Sequence, residues 1–393
     1  MRVRTAVAAA SVLLLSACVE STTAPVAPTA SSLSSTVLPA SAELIDGSTG
    51  PGSLYRLARP ANWNGDLVIY AHGYASPDEP VALPAEGELF IGMFGAQGFA
   101  VAFSSFSENG WVVKDGAQRT HQLLGIFTSK FGQPKRVYLG GASMGGLIAI
   151  KLAETHPEAY AGVLAACAVA GGTRRNSEYR ANVRALFDFF YPGVLPGNAG
   201  FLPDGTDVDQ QIIAPALAAM TANPTPAGYI AALEQTPAPY ANGAELVQSI
   251  VSALVGNAGD VTDDVLIRGK PYFDNQNTVY SSALLPAALL QAINAGVQRF
   301  SASPAALASL DHNYTPSGDL QMPMLMLSNA RDPVIPGFNQ ASYLAAVTAN
   351  GASNLLVQRT VDTYGHCVFT PSEIGTAFTD LVLWVQFGIK PTP

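Results

Sequence analysis

Charge, cysteine and runs of basic residues are scarce in this sequence. Only 12% of its 393 residues are charged, about half of the roughly 25% that is usual in soluble proteins. The net charge is −9, and no run of Lys or Arg is longer than two residues. Nucleic-acid binding is therefore disfavoured, because it needs clustered positive charge. Hydrophobic residues make up 48% of the chain, which excludes intrinsic disorder for most of it.

The three cysteines are Cys18, Cys167 and Cys367. They form no CxxC pair and no Cys/His cluster with zinc-ligand spacing, so we expect no metal site. Beyond Cys18, no uncharged apolar run reaches about 18 residues, and we expect no membrane-spanning helix there. The sequence also shows no internal repeat of fixed period, so a repeat architecture is not expected.

The N-terminus has the pattern of an export signal. Arg2 and Arg4 precede an apolar stretch, residues 6–15, that is too short for a stop-transfer helix. Small residues then lead to Cys18, and this segment resembles the lipobox of bacterial lipoproteins. The resemblance implies a signal peptide at residues 1–17, cleavage before Cys18 and lipidation of that cysteine. Ordinary signal cleavage, with an incidental cysteine, is the alternative.

Residues 18–42 are rich in Ser, Thr, Ala and Pro and have few large apolar side chains. This composition is typical of a flexible tether. We therefore expect an exported protein that its N-terminal lipid anchors to the bacterial cell envelope. If Cys18 is not lipidated, the protein is expected to be secreted.

Strand and helix patterns alternate in two parts of the chain, residues 43–172 and 316–393. The alternation predicts an α/β fold, with a mostly parallel sheet and helices on both faces. Residues 173–315 are instead rich in Ala, Pro, Asn and Gly and contain only helical patches. We interpret them as a mainly helical cap inserted between the two halves of the core, because strand patterns resume afterwards. A separate surface domain is the alternative.

The strongest motif is Gly-Ala-Ser-Met-Gly-Gly at residues 141–146. It follows a strand pattern and precedes a helical one, which is typical of a sharp, strained turn that presents the Ser143 hydroxyl. Glycines are needed beside the serine because larger side chains would collide in such a turn. A serine that merely caps the helix is the alternative.

This motif, in its strand–turn–helix context, resembles the nucleophile turn of the α/β-hydrolase superfamily, and the resemblance covers most of residues 54–390. It implies a catalytic serine, acid and histidine in that order along the chain. Asp332 and His366 each follow a predicted strand, so we expect Ser143, Asp332 and His366 to form the triad. Asp362 is an alternative acid.

The segment His72-Gly73-Tyr74 closes the first predicted core strand and resembles the oxyanion-hole segment of the same superfamily. The resemblance implies that the backbone N–H groups of Met144 and Tyr74 stabilise a negative oxygen. Gly73 and Trp111 are expected beside the substrate, although an ordinary packed aromatic explains Trp111 equally well. His72 is interpreted as a buried core histidine.

Cys167 and Cys367 are both expected near the rim that carries the triad. In an oxidising compartment they could form a disulfide that fixes the histidine loop, and two buried free thiols are the alternative. Tannases and feruloyl esterases of this superfamily have a disulfide beside the triad, with one cysteine directly before the serine. This sequence has Ala142 at that position.

The resemblance implies a serine hydrolase that cleaves carboxylic esters through an acyl-enzyme, with no metal or organic cofactor. The expected partners are a small-molecule or oligomeric ester and, through the N-terminal lipid alone, a membrane. A serine peptidase resembling the prolyl-oligopeptidase group is one alternative, and a polyester or hydroxyalkanoate oligomer hydrolase is another. A binding protein on a decayed hydrolase scaffold is the non-enzymatic alternative.

Overall fold

The computed structural model describes residues 42–267 and 270–393. The predicted signal peptide, Cys18 and nearly all of the predicted tether lie outside the described residues. The first strand begins at Glu43, directly after the predicted tether. In the described part of the chain, no helix has the length and apolar composition needed to cross a membrane.

Eight strands form one sheet in the order β1-β2-β4-β3-β5-β6-β7-β8. The β3–β4, β3–β5, β5–β6, β6–β7 and β7–β8 pairs are parallel, whereas the β1–β2 and β2–β4 pairs are antiparallel. The prediction of a mostly parallel sheet is confirmed, and the antiparallel edge was not part of it. The strands are β1 (Glu43–Thr49), β2 (Ser53–Arg59), β3 (Asp66–Ala71), β4 (Ala100–Ser104), β5 (Arg136–Ala142), β6 (Gly162–Ala166), β7 (Met324–Arg331) and β8 (Leu356–Tyr364).

Helices cover both faces of this sheet because its central strands are apolar on both sides. All six residues of β3 are buried, and they alternate between the two faces. Leu67 and Ile69 belong to one hydrophobic cluster, and Val68 and Tyr70 belong to another. The flanking helices are α1 (Glu86–Gly95), α2 (Val113–Phe131), α3 (Met144–Thr155), α11 (Phe338–Ala349) and α12 (Pro371–Phe387).

The two clusters assign each flanking helix to a face of the sheet. Phe127 of α2 and Leu147 of α3 join the cluster of Leu67, and Tyr343 places α11 on that same face. Phe90 of α1 and Phe378 of α12 join the other cluster. This three-layer packing leaves the carboxyl ends of the parallel strands free, and that is where α/β proteins usually place their sites.

Residues 173–315, called the helical insertion below, lie between β6 and β7. A π-helical turn (Asp209–Ile213) leads directly into the α-helix Ala214–Ala222. Many of the buried side chains of these helices belong to the same cluster as Leu67 of the sheet. The helices of the insertion are α4 (Thr173–Phe190), α5 (Ala214–Ala222), α6 (Thr225–Ala231), α7 (Gly243–Thr262), α8 (Asp264–Ile267), α9 (Ala287–Gly296) and α10 (Pro304–His312).

The interior of the insertion is polar where α4 packs against α7. Arg180 of α4 lies 2.9 Å from Asp260 of α7, and both side chains are less than 10% exposed. Arg184 is fully buried and donates to Asp188 and to the carbonyl oxygen of Pro196. Buried charges need such partners, because an unpaired charge in an apolar interior is costly.

Candidate active site

The turn between β5 and α3 places Ser143 at the rim of the sheet. β5 ends at Ala142 and α3 begins at Met144, so Ser143 alone makes the reversal, with φ of 57° and ψ of −120°. A methyl group added at Gly141 would collide with the carbonyl oxygen of Gly145. One added at Gly145 would collide with backbone of β3. Both glycines are therefore required for this close approach of strand, turn and helix.

Three side chains from distant parts of the chain form one hydrogen-bonded series at this rim. His366 Nε2 lies 2.8 Å from Ser143 Oγ. His366 Nδ1 lies 2.7 Å from Asp332 Oδ2. A neutral imidazole that carries its proton on Nδ1 fits both contacts, since it donates to the carboxylate and accepts from the hydroxyl.

The acid in contact with the histidine is Asp332. Its side chain is 2% exposed, and its second oxygen, Oδ1, accepts the backbone N–H groups of Val334 and Ile335 at 2.9 Å each. These bonds hold the carboxylate in one orientation. Asp362, the alternative acid, is 87% exposed and pairs with Arg331 instead.

The predicted oxyanion donors lie beside Ser143. A Cβ atom added at Gly73 would be 3.4 Å from Ser143 Cβ, so the His72–Tyr74 segment passes directly over the serine. Met144 is the first residue of α3, and the N–H of a first helical residue has no acceptor within its own helix. The positive end of that helix also favours a developing negative charge.

His72 is packed under this segment. Its ring stacks on Phe106 with centroids 3.8 Å apart, and its Nδ1 lies 2.7 Å from the carbonyl oxygen of Gly73. Burial lowers the pKa of His72. The neutral ring therefore donates from Nδ1 to that carbonyl, which agrees with a role as a buried core histidine.

Tyr74, which follows Gly73 beside the serine, and Trp111 lie next to each other but in different environments. Tyr74 is 47% exposed, whereas Trp111 is 6% exposed, with ring centroids 6.5 Å apart. The Trp111 indole N–H donates to Thr173 Oγ1, and its backbone N–H donates to Asp263. Partial burial, followed by the charge of Asp263, raises the pKa of Tyr74 to about 12. Tyr74 is thus a neutral, accessible aromatic, and Trp111 joins the core to the helical insertion.

Cys167 and Cys367 form a disulfide. Ala142 pairs with Ala166, so Cys167 follows β6 beside the serine turn. Cys367 directly follows His366, and its sulfur lies 3.5 Å from His366 Nε2. Cys167, His366 and Cys367 are also the one group of potential metal ligands that lie close together in the described residues. The disulfide uses both of their sulfur atoms.

The sequence did not predict the contacts that join the Asp332 and His366 loops to the insertion. Arg331, next to Asp332, forms an ion pair with Glu245 of α7 at 3.1 Å. The hydroxyl of Tyr364, two residues before His366, lies 3.2 Å from both Ser249 Oγ and the Glu245 carbonyl oxygen. These partners are more than 80 residues apart, and no local pattern predicts such pairs.

No protein-family model matches the sequence, and no curated protein is significantly similar to it. The fold class of the protein follows from the arrangement of its strands and helices. A mostly parallel eight-stranded sheet, a strand–turn–helix at Ser143 and similarity in fold to a solved esterase structure establish the α/β-hydrolase fold, as predicted.

Several solved structures of this fold are similar to the chain. Feruloyl esterase B from Aspergillus oryzae is similar with a TM-score of 0.53 at 16% identity, over 89% of this chain and 80% of that one. An esterase from Pyrococcus furiosus gives 0.45 at 10% identity, over 87% and 90% of the two chains. Proline iminopeptidase from Mycobacterium smegmatis gives 0.44 at 12% identity, over 88% and 99%. The structural neighbours include esterases and peptidases, and the likeness to the Aspergillus oryzae structure shows the fold alone.

Proposed function

We propose that this protein is a serine hydrolase of carboxylic esters. The observation that carries the proposal is the hydrogen-bonded series from Ser143 through His366 to Asp332. A serine hydroxyl is a weak nucleophile until a base within hydrogen-bond reach takes its proton. An imidazole held in one tautomer by a buried carboxylate is suited to that task near neutral pH.

In the proposed first step, Ser143 Oγ attacks the ester carbonyl and its proton passes to His366 Nε2. Asp332 stabilises the resulting imidazolium and does not itself take up the proton. The N–H groups of Met144 and Tyr74 receive the negative oxygen of the tetrahedral intermediate. Each such donor is worth about 10²- to 10³-fold in rate.

The intermediate then collapses. The carbon–oxygen bond to the alcohol breaks, the leaving oxygen takes the proton from His366 Nε2, and the acyl group stays on Ser143. A water molecule repeats the sequence, with His366 as its base, and releases the acid. These steps use side chains and backbone of this chain alone.

We propose esters of aromatic or medium-sized acyl groups as the substrate class. Tyr74 presents a neutral ring at the predicted oxyanion segment, where an aromatic acyl group can stack against it. The similar Aspergillus oryzae structure is that of a feruloyl esterase, which supports the same class. Methyl ferulate is therefore the first natural-type ester to test.

The test is a substrate panel on the purified protein and its Ser143→Ala variant. We expect hydrolysis of p-nitrophenyl butyrate and methyl ferulate, and loss of both activities in Ser143→Ala. Ser129→Ala, at the exposed end of α2, is the control and should retain both. Cleavage of aminoacyl p-nitroanilides in preference to esters would instead assign a peptidase. Equal ester hydrolysis by the wild type and Ser143→Ala would refute the proposal.

A further inference from the structure

The segment that carries His366 leaves the sheet at an irregularity. Asn329 of β7 pairs with Val361 of β8, and Arg331 pairs with Tyr364. β8 thus has one more residue than β7 between these two pairs, which is the count of a β-bulge. Bulges of this kind end the regular ladder and redirect the following side chain. His366 lies two residues beyond the bulge.

The Asn329 side chain contacts this segment on both sides of the histidine. Its Nδ2 donates to Thr363 Oγ1 at 2.6 Å and to the Val368 carbonyl oxygen at 2.8 Å. Its Oδ1 accepts the Val368 N–H at 3.1 Å. A side-chain amide therefore binds both backbone groups of Val368, as a neighbouring strand would.

These contacts define a single orientation of the amide. Asn329 is 4% exposed, so unmade hydrogen bonds could not be replaced freely by water. A flipped amide would set its NH₂ group against the Val368 N–H and its oxygen against the Val368 carbonyl. The buried side chain can therefore satisfy its partners in only one way, and that way brings Thr363 and Val368 against the end of β7.

Asn329 also lies on the strand that supplies the acid, three residues before Asp332. The same stretch of β7 thus sets both the position of the carboxylate and the path of the loop that carries the imidazole. The disulfide joins Cys367 of this loop to Cys167, which follows β6, and so does not connect the loop to β7. Asn329 therefore supplies the direct side-chain connection from the acid-bearing strand to both flanks of the histidine.

We propose that Asn329 is a positioning residue that holds His366 at hydrogen-bond distance from Ser143 and Asp332. The proposal rests on the proposed serine-hydrolase function. Asn329 itself does not touch substrate. Its effect is on the geometry of the base, and a displacement of about 1 Å at such a site can cost 10²-fold in rate.

The experiment compares Asn329→Ala with Asn257→Ala in the full-length mature protein. Asn257 is a matched control, because it is also buried and its Nδ2 also donates to one carbonyl oxygen and one hydroxyl, those of Ala199 and Tyr272. We expect Asn329→Ala to lower kcat for p-nitrophenyl butyrate by about 10- to 100-fold with little change in KM. Asn257→Ala should lose comparable thermal stability and keep the wild-type kcat.

A second arm separates positioning from general destabilisation. In a His366→Ala background, Asn329→Ala should not lower the residual rate further, because the group it positions is gone. Thr363→Val removes one of the three hydrogen bonds and should lower kcat about two- to tenfold. This milder variant keeps the test valid if Asn329→Ala does not fold.

The inference is overturned if the kcat of Asn329→Ala, or of Thr363→Val, equals that of the matched control. It is also overturned if Asn329→Ala slows the His366→Ala enzyme as much as it slows the wild type. Either result leaves the proposed function intact, provided that Ser143→Ala is inactive. If Ser143→Ala remains active, the proposed function fails first and the inference fails with it.

Discussion

The sheet core and the helical insertion bury different kinds of side chain. β3 and β4 are buried along their whole length, and apart from Asp66 and Ser104 at their ends they carry apolar residues on both faces. In the insertion, the ion pair Arg180–Asp260 is buried between α4 and α7, and Arg184 of α4 and Asn257 of α7 are fully buried. Apolar contacts are non-directional, whereas buried polar groups are satisfied in few arrangements.

We expect the core and the insertion to contribute differently to activity and to stability. The rigid parallel sheet holds the proposed triad at the ends of β5, β7 and β8, where small errors in position are costly. The insertion contacts the loops of this rim through Glu245 and Ser249 of α7, and its own interior contains buried charges that need partners. Substitutions in the core rim should therefore change activity most, and substitutions inside the insertion should change stability most.

The largest expected effect is that of Asp332→Asn. The amide keeps the shape of the acid but no longer fixes the neutral tautomer or stabilises the imidazolium, so kcat should fall about 10⁴-fold. Thermal unfolding should change little by comparison. Ester hydrolysis and calorimetry on the same preparations check both parts, and a kcat within tenfold of the wild type would assign the acid elsewhere.

Asp260→Ala is the counterpart in the insertion. It leaves the Arg180 charge buried without its partner, which typically costs about 3–5 kcal/mol in the free energy of unfolding. At a temperature where the variant is folded, kcat should be close to the wild-type value. Urea denaturation measures the loss. Replacing both members, as Arg180→Met with Asp260→Leu, should restore much of the stability, and a further loss would contradict this account.

The disulfide joins two segments of the core, and its cysteines are 200 residues apart in the sequence with the whole insertion between them. Replacing Cys167 and Cys367 together by Ala should lower the free energy of unfolding by about 2–4 kcal/mol, since it frees a long loop in the unfolded state. The kcat should also fall, because Cys367 adjoins His366. Equal stability with and without the bond would contradict the prediction.

The smallest expected effect is at the junction of core and insertion. Tyr364→Phe removes a hydroxyl bonded to Ser249 and to the Glu245 carbonyl, and a net cost of about 1 kcal/mol is typical. Tyr191→Phe removes a comparable hydroxyl bond within the insertion, to the Asn223 carbonyl. Thermal unfolding should report similar losses for both variants. Only Tyr364→Phe should also lower kcat/KM, and an identical effect of the two on kcat/KM would show that the junction does not support the triad loops.

Much of the core follows from the sequence because its signals are local. The apolar run at residues 66–71 is β3 itself, and the glycines around Ser143 reflect the collisions that other residues would cause. Asp332 was predicted over Asp362 because it follows a predicted strand, whereas Asp362 lies only four residues before His366, past the last predicted strand.

The structural features that the sequence did not predict depend on contacts between distant residues. The β1–β2 hairpin is partly exposed and lacks the continuous apolar run of a central strand, so its pattern is weak. The contacts of Asn329 with the histidine segment arise from a bulge, which sequence periodicity does not show. The pairing of Cys167 with Cys367 joins the segments that follow β6 and β8, and only the folded sheet, with β7 between these strands, brings them together.

The central claim is that Ser143 is an activated nucleophile. The most direct measurement is reaction of the native protein with a fluorophosphonate, followed by intact mass and peptide mapping. We predict one adduct per chain, on the peptide that contains Ser143, and no adduct in Ser143→Ala or in the heat-unfolded protein. An unmodified native chain, or a Ser143→Ala variant labelled like the wild type, would contradict the account.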